Sequence, residues 1–166
     1  NMRIKGMMLF LMTALLFFPV KAEAVGILDT TKEVTLTISC KDGDRGIANA
    51  GFEIYQIGRI TEAAEIIPNA AFDGRLPKLR ELSGSEWRDL TQELCQLTQG
   101  ENLAPVDSGY TDENGMLRFP QDGKKLEQGL YLIVGGSARQ NGYSYTLSSC
   151  LVFLPSEDAE RKNWNY

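Results

Sequence analysis

Short stretches in which apolar and polar residues alternate, separated by turn-forming residues, dominate this chain after residue 33. Val34–Cys40 alternates and is rich in β-branched residues, and Gly51–Ile57 alternates again after the Asp- and Gly-rich segment 41–46. Alternation with a period of two puts successive side chains on opposite faces of a strand. The pattern therefore predicts two neighbouring strands joined by a turn or short loop.

The strand pattern returns in the last third of the chain. Asp112-Glu-Asn-Gly115 is a turn sequence in which Asn114 and Gly115 can take positive φ. Short strands with frequent turns favour an all-β fold, an antiparallel sandwich. The predicted strands of this part are Ser108–Thr111, Met116–Phe119, Gly129–Val134, Tyr143–Leu147 and Cys150–Leu154.

Residues 60–107 have a different pattern and form a predicted helical insertion between the early and the late strands. Thr61–Ile67 is a candidate short helix that Pro68 would end. Ser83 and Glu86 have the spacing of a capping box, which marks the start of a longer helix. Its apolar stripe, at intervals of three and four residues, consists of Trp87, Leu90, Leu94 and Leu97. We therefore expect one amphipathic helix that covers another apolar surface.

The first 24 residues have the three parts of a secretory signal peptide. A short basic start precedes the apolar run Met7–Val20, and Ala22-Glu23-Ala24 carries small residues at the spacing that signal peptidase recognises. The run is shorter than the roughly 20 residues that a membrane-spanning helix needs. We expect cleavage after Ala24, which leaves residues 25–166 as one exported domain; a retained membrane anchor is the alternative.

Composition excludes several classes of function. The chain contains no histidine, which removes Ser-His-Asp and Cys-His catalysis and His-ligated zinc. Its formal net charge is −5, and no basic stretch could neutralise a run of phosphates, so nucleic-acid binding is not expected. Asp42-Gly-Asp44 lacks the further oxygen ligands that a calcium loop needs. We expect a protein that is not an enzyme, with no catalytic residue, metal or cofactor.

The three cysteines, Cys40, Cys95 and Cys150, are far apart and show no C-x-x-C spacing. In an oxidising compartment a disulfide is plausible. Our hypothesis is a Cys40–Cys150 disulfide, which would stabilise the fold by up to about 4–5 kcal/mol in the chain-entropy picture. The sequence does not choose among the three pairings, and three buried thiols are the alternative.

Motifs along most of the chain, taken in order, resemble Cna-B or SpaA-type domains, and in particular the N-terminal domain of Gram-positive backbone pilins. Val34–Tyr55 is similar to their opening strand, Asp/Gly turn and Gly-Phe-x-Ile-Tyr strand. Tyr110-Thr-Asp-Glu-Asn-Gly115 and then Gly129-Leu-Tyr-Leu-Ile-Val134 resemble their central motifs. Cys150-Leu-Val-Phe-Leu-Pro155 followed by Trp164-Asn-Tyr166 resembles their closing segment.

The resemblance implies an immunoglobulin- or transthyretin-like (prealbumin-like) sandwich with a helical insertion between its second and third strands. It also implies a structural role outside the cell, on the cell wall or pilus surface, as a pilus shaft or wall-anchored adhesin domain. Neighbouring pilin or surface-protein domains, a sortase and a host glycan or protein are the implied partners. The sortase would act on segments that this sequence does not contain.

Three parts that the family leads one to expect are missing from this sequence. They are the polymerising lysine beyond Trp-Asn-Tyr, the Leu-Pro-x-Thr-Gly sorting signal, and the last strand that should pair with the first. We therefore expect an N-terminal fragment of a longer surface protein, or a degenerate copy.

Many members of the family also hold an internal lysine–asparagine isopeptide bond. The lysine would fall near Ile38–Cys40, where this chain has none, and the promoting acid would fall at Gly135. An internal isopeptide is therefore not expected, and Lys41 with Asn163 or Asn165 is an outside candidate.

Aromatic residues offer the remaining candidate contacts. Trp164 and Tyr166 are candidate surface aromatic contacts, with core or edge packing as the alternative. A carbohydrate platform could use some of the strand tyrosines, because aromatic faces stack on the apolar faces of sugars. The rival function is therefore a secreted carbohydrate- or peptide-binding module without a role in polymerisation. The tyrosines concerned are Tyr110, Tyr131, Tyr143 and Tyr145.

Overall fold

The computed structural model describes residues 29–155 and the backbone of Lys162–Asn165. The predicted signal peptide with its cleavage site at Ala24, and Tyr166, lie outside the described residues. One α-helix, α1 (Gly84–Gly100), accompanies the strands. Numbered in chain order, the strands are β1 Leu36–Asp42, β2 Arg45–Gly46, β3 Gly51–Ile60, β4 Ile66–Pro68, β5 Asp107–Tyr110, β6 Met116–Phe119, β7 Gly129–Gly135, β8 Ser137–Gln140, β9 Tyr143–Thr146, β10 Cys150–Leu154 and β11 Lys162–Asn165.

The strands form two sheets and a separate hairpin. In the first sheet β1 is central, with β2 and β6 antiparallel on one side and β11 parallel on the other. The second sheet has the order β10-β7-β3-β4, and β5 pairs with β3 beside β4. The hairpin consists of β8 and β9. This arrangement confirms the predicted all-β sandwich, in which every pairing except β1–β11 is antiparallel among the described residues.

The space between the two sheets holds the larger cluster of buried side chains, which we call the inter-sheet core. Alternation in β1 sends Leu36, Ile38 and Cys40 into it, and all three side chains are inaccessible to solvent. Burial of this apolar surface is the main source of stability in such a sandwich. The other members include Ile47, Phe52, Ile54, Leu117, Phe119, Leu126, Tyr131, Ile133, Val152 and Leu154.

The second sheet is covered on its other face by α1. Ser83 and Glu86 form the predicted capping box: Ser83 Oγ accepts from the Glu86 N–H at 3.3 Å, and Glu86 Oε2 accepts from the Ser83 N–H at 2.6 Å. The apolar stripe of the helix packs on the sheet, as predicted. We call this second cluster the helix-side cluster; its buried members are Tyr55, Ile57, Phe72, Leu90, Leu94, Leu130 and Leu132.

The helix predicted for Thr61–Ile67 is wrong. Thr61–Ala64 is a turn, in which Ala64 has a φ of +59° and its N–H donates to the Thr61 carbonyl oxygen. β4 follows and pairs with the end of β3. The β-branched pair Ile66 and Ile67, followed by proline, favours an extended chain at this position over a helix.

The last strand was expected to be missing, but β11 lies at that position. It pairs with β1 in parallel, with Ile38 opposite Lys162 and Lys41 opposite Asn165. A four-residue strand of Lys, Asn and Trp carries neither β-branched residues nor an apolar alternation. The pairing partner therefore decides its conformation, and the local sequence gives no strand signal.

The helices among residues 29–155 are each too short or too polar to cross a lipid bilayer.

Candidate functional site

The candidate functional site is the first–last strand pair, by which we mean β1 and β11. β1 is hydrogen-bonded on both sides: β6 faces Leu36–Ser39, β2 faces its last two residues, and β11 faces Ile38–Lys41. Two neighbours satisfy the backbone groups of the strand, which cannot leave the sheet without breaking both ladders. β1 is therefore the most firmly held strand of the first sheet.

The turn between β5 and β6 packs closely against the end of β1. The Cys40 N–H donates to the Gly115 carbonyl oxygen at 2.7 Å, and the Ile47 N–H donates to the Cys40 carbonyl oxygen at 2.9 Å. Gly115 has a φ of +76°, as predicted for this turn, whereas Asn114, for which a positive φ was also predicted, does not have one. A Cβ at Gly115 would overlap the Cys40 carbonyl oxygen. Only glycine satisfies both the conformation and the close approach.

A buried carboxylate joins β5 to the segment that follows β6. The Asp107 side chain is completely buried and accepts from the Gln121 N–H at 2.6 Å, from the Ser108 N–H at 2.8 Å and from Lys124 Nζ at 3.1 Å. Burial alone would raise the pKa of Asp107, but these donors outweigh it and hold the pKa below its ordinary value. Asp107 is therefore ionised at neutral pH and links the two sheets through β5 and β6.

The structure places two of the three cysteines at one cluster. Cys40 is a fully buried member of the inter-sheet core, and Cys150 packs against the same core from β10. Burial raises the pKa of the Cys40 thiol to about 11, which keeps that thiol protonated at neutral pH. Cys95 packs against the helix-side cluster, and burial raises its pKa as well. The Cys40–Cys150 disulfide stays a prediction.

The residues considered for an internal isopeptide bond lie in the β1–β11 ladder. Lys41 lies opposite Asn165 in the parallel register, and Asn163 lies opposite Ser39. At Gly135, where the family has an acid, an added Cβ would lie 2.6 Å from the Leu147 Cβ and 2.8 Å from two carbonyl oxygens. The local packing therefore leaves no room for an acidic side chain there. The expectation that this domain has no internal isopeptide stays a prediction.

The structure brings only two of the candidate tyrosines together: the rings of Tyr143 and Tyr145 on β9 have centroids 6.5 Å apart. Tyr131 is buried, and its hydroxyl donates to the Glu127 carbonyl oxygen at 2.6 Å. Tyr145 Oη donates to Asp42 Oδ2 at 2.9 Å, which ties the β8–β9 hairpin to β1. Tyr110 and Tyr143 are exposed, at 72% and 62%. These tyrosines therefore include two with structural contacts and two open to solvent.

The two tryptophans differ in what the structure describes. Trp87 packs edge-on against Phe153 of β10, with ring centroids 6.0 Å apart and an interplanar angle of 84°. This contact agrees with the prediction that Trp87 is a helix residue packed on the sheet. The Trp164 backbone lies in β11 opposite Cys40, while Tyr166 lies outside the described residues. The role of Trp164 and Tyr166 as surface contacts stays a prediction.

Two buried polar residues and the strand β8 were not predicted from the sequence, in addition to the strands β2, β4 and β11. Asp107 and Gln128 are both buried polar residues, and no local pattern marks either one. β8 could have been found, because Asn141-Gly142 has the signature of a two-residue hairpin turn. Both residues have positive φ, at +52° and +78°.

Among residues 29–155, no group of three or more His, Cys, Asp or Glu side chains is placed to hold a metal ion.

No protein-family model matches this chain, and no curated protein matches it. Several solved structures are similar to it in chain path, and three of them are described here. The major pilin SpaD of Corynebacterium diphtheriae has a TM-score of 0.47 at 16% identity, over 87% of this chain and 30% of that chain. The major pilin subunit BcpA of Bacillus cereus has a TM-score of 0.39 at 12% identity, over 80% and 29%. The Bacillus anthracis TIE protein has a TM-score of 0.36 at 17% identity, over 80% and 16%.

This chain therefore spans less than a third of the length of each of those solved chains.

Proposed function

We propose that this chain is a force-bearing structural domain of a Gram-positive cell-surface protein, either a pilus shaft subunit or the N-terminal domain of a wall-anchored adhesin. The observation that carries the proposal is the parallel pairing of β1 with β11. These are the first and the last strands that the structure describes. A domain of this kind would transmit force along a fibre through the first–last strand pair.

The reason is geometric. In a parallel pair, the start of one strand and the end of the other lie at opposite ends of the ladder. Force applied to those two points slides the strands past each other, so all the hydrogen bonds between them resist together. Force applied at one end of a ladder would instead break the bonds one after another. β6 also pairs with β1, which keeps β1 in the sheet while the β1–β11 ladder is loaded.

The chemistry of the chain supports a role without catalysis outside the cell. A secretory leader is predicted, and the formal net charge of −5 disfavours nucleic acid as a partner. Cys95 is partly buried, burial raises the pKa of its thiol, and there is no histidine in the sequence to activate it. We infer that the domain works by resisting unfolding and by meeting neighbouring domains, with a sortase as the external enzyme that joins them.

Localisation and covalent assembly provide the test. An antibody raised against residues 29–155 would be used on wall, membrane and medium fractions of the producing cells, with and without the sortase genes. We expect wall-associated material in a ladder that survives boiling in detergent and disappears without sortase. Monomer found only in the medium, unchanged by loss of sortase, would contradict the proposal.

A further inference from the structure

Beyond the C-terminal end of α1, part of the helix-side face of the second sheet is left uncovered by the helix. Tyr55 of β3 belongs to the helix-side cluster, whereas Gly51 and Glu53, which face the same side of that strand, do not. A groove of about 380 Å³ lies over this part of the sheet. Its floor comes from the start of β3, the end of β5 and the end of β7, and Gln99 of α1 also lines it. We call it the Tyr110 groove.

Tyr110 supplies the aromatic surface of the groove. The residue lies opposite Gly51 in the β3–β5 ladder, and its side chain is 72% exposed. A Cβ at Gly51 would lie 3.1 Å from Tyr110 Cε1 and 3.4 Å from Cδ1, so the ring lies across the glycine backbone. Glycine at position 51 therefore lets the ring rest against the sheet while the remaining ring surface stays open to solvent.

Glycines keep the floor of the groove free of side chains. Gly109, Gly135 and Gly136 line it beside Gly51. At Gly109 and Gly135 an added Cβ would lie 2.8 Å and 2.6 Å from a neighbouring side-chain atom, so packing excludes larger residues there. At Gly136 an added Cβ would meet only the Gly51 carbonyl oxygen, at 3.5 Å, and the φ of Gly136 is outside the left-handed region. A side chain at position 136 would therefore be accepted by the fold and would fill the groove.

The polar groups at the groove are neutral or acidic. Glu53, Gln99 and Ser137 line it. Glu53 Oε2 accepts from Tyr55 Oη at 2.6 Å, which holds the carboxylate in place, and Oε1 has no partner among the described residues. The Gln99 amide offers both a donor and an acceptor. No Lys or Arg of residues 29–155 lines the groove, which disfavours an anionic ligand.

A neutral hexopyranose matches this combination of groups. One face of the sugar ring carries C–H groups that stack on an aromatic ring, and its rim carries hydroxyl groups that pair with carboxylate and amide side chains. The volume of the groove lies at the low end of the range of about 300–1,000 Å³ for small-molecule sites. The groove therefore suits one or two sugar rings.

We propose that the Tyr110 groove binds a neutral hexopyranoside, with the sugar ring stacked on Tyr110 and its hydroxyl groups bonded to Glu53 and Gln99. Of the other tyrosines considered for a carbohydrate platform, Tyr131 is buried and the hydroxyl of Tyr145 is used in the contact with β1. The groove lies outside the first–last strand pair. The inference is therefore independent of whether the domain bears force.

The test is a titration of the isotope-labelled exported protein, followed through its backbone amide signals by NMR. The probes are methyl β-D-galactopyranoside and methyl β-D-glucopyranoside. We expect saturable shifts at the amides of Gly51, Gly109 and Gly136 with at least one probe, and a dissociation constant of about 1 mM.

Three variants separate stacking on the ring from other effects. Tyr110→Ser should weaken binding by about tenfold, because the stacking surface is lost. Tyr110→Phe keeps the ring and should bind nearly as well as the unmodified chain. Gly136→Leu should abolish binding while Tyr110 stays in place, because the leucine side chain fills the groove.

Tyr143→Ser is the matched control, since it removes another exposed tyrosine, 62% exposed, on the β8–β9 hairpin and away from the groove. It should leave the titration unchanged. No saturable shift with either probe at concentrations well above the expected dissociation constant would overturn the proposal, as would unchanged binding by Tyr110→Ser. Shifts centred on Tyr143 would overturn it in favour of the hairpin, and Tyr110-dependent binding of a proline-rich peptide in place of the sugars would overturn it in favour of a peptide site.

Discussion

The inter-sheet core and the helix-side cluster are built on opposite faces of the same sheet, yet they differ in how completely they are closed. Nearly all members of the inter-sheet core are buried below a tenth of their surface. The helix-side cluster has seven such members but ten more that are only partly buried, among them Trp87, Cys95 and Leu97. A second sheet covers the apolar face of the first along its whole length, whereas a single helix covers only a stripe of that face.

β7 shows how one strand serves both clusters. Tyr131 and Ile133 point into the inter-sheet core, while Leu130 and Leu132 point toward the helix. Burial on both faces explains why the strand is a continuous apolar run instead of an alternating one. The sandwich therefore supplies the main stability, and the helical insertion is the more adaptable layer.

The largest loss of stability is expected from truncating a buried leucine, and two equally buried leucines, one in each cluster, can be compared. Leu36→Ala in the inter-sheet core should lower the free energy of unfolding by about 4 kcal/mol, and Leu94→Ala in the helix-side cluster by about 2 kcal/mol, within the range measured for such cavities. The two side chains are 0% and 1% exposed, so burial alone does not separate them. The partly exposed neighbours of Leu94 can move into the space. Urea unfolding measures both losses, and an equal or larger loss for Leu94→Ala would show that the helix-side cluster is as rigidly packed as the inter-sheet core.

Asp107→Asn should produce the next largest effect, a loss of about 1.5–3 kcal/mol, because charged hydrogen bonds that join the two sheets are weakened. The folded-state pKa of Asp107 lies below its ordinary value of 3.8. Its contribution is therefore fully present above pH 3.8 and is lost as the pH falls through the folded-state pKa. Unfolding curves from pH 7 to pH 2 should show a smaller acid-induced loss in the variant. Lys124→Met, which removes the charged partner of Asp107, is the companion variant. Identical pH curves for Asp107→Asn and the unmodified chain would contradict the role of Asp107.

Ser83→Ala should cost about 1 kcal/mol, because the variant removes the N-cap of α1. The effect should be confined to the helix-side cluster, so amide exchange should rise in residues 84–100 and stay unchanged in β1. Ser144→Ala on the β9 strand is a serine control with no expected effect on the helix. Faster exchange spread equally over both clusters would show that the helix and the sandwich unfold as one unit.

The smallest expected effect is at the surface of the insertion. Lys78 and Glu81 form an ion pair with an N–O distance of 3.9 Å, and their side chains are 86% and 72% exposed. Exposed pairs of this kind contribute little. The melting temperature of Lys78→Ala should match that of the unmodified chain within error, and a clear drop would mean that the insertion depends on its surface charges.

The sequence predicted what local patterns encode. Alternation located β1 and β3, and the spacing of Ser83 and Glu86 located the start of α1. The parallel partner of β1 could not be predicted, because β11 takes its conformation from a strand more than 100 residues away. Asp107 and Gln128 were missed for a related reason: a polar side chain is buried by tertiary contacts, and its partners are distant in sequence. The helix predicted at Thr61–Ile67 was wrong because the local helix signal is weak and the pairing of β4 with β3 decides the conformation of this segment.

The most direct test pulls single molecules in two directions. Handles before Leu36 and after Asn165 load β1 and β11 along their length, whereas handles at Asp44 and after Asn165 pull on the same end of the pair and open it one bond at a time. We predict a clearly higher unfolding force for the first geometry than for the second. Equal forces, or a lower force in the first geometry, would contradict the proposal that the first–last strand pair is the mechanical element of the domain.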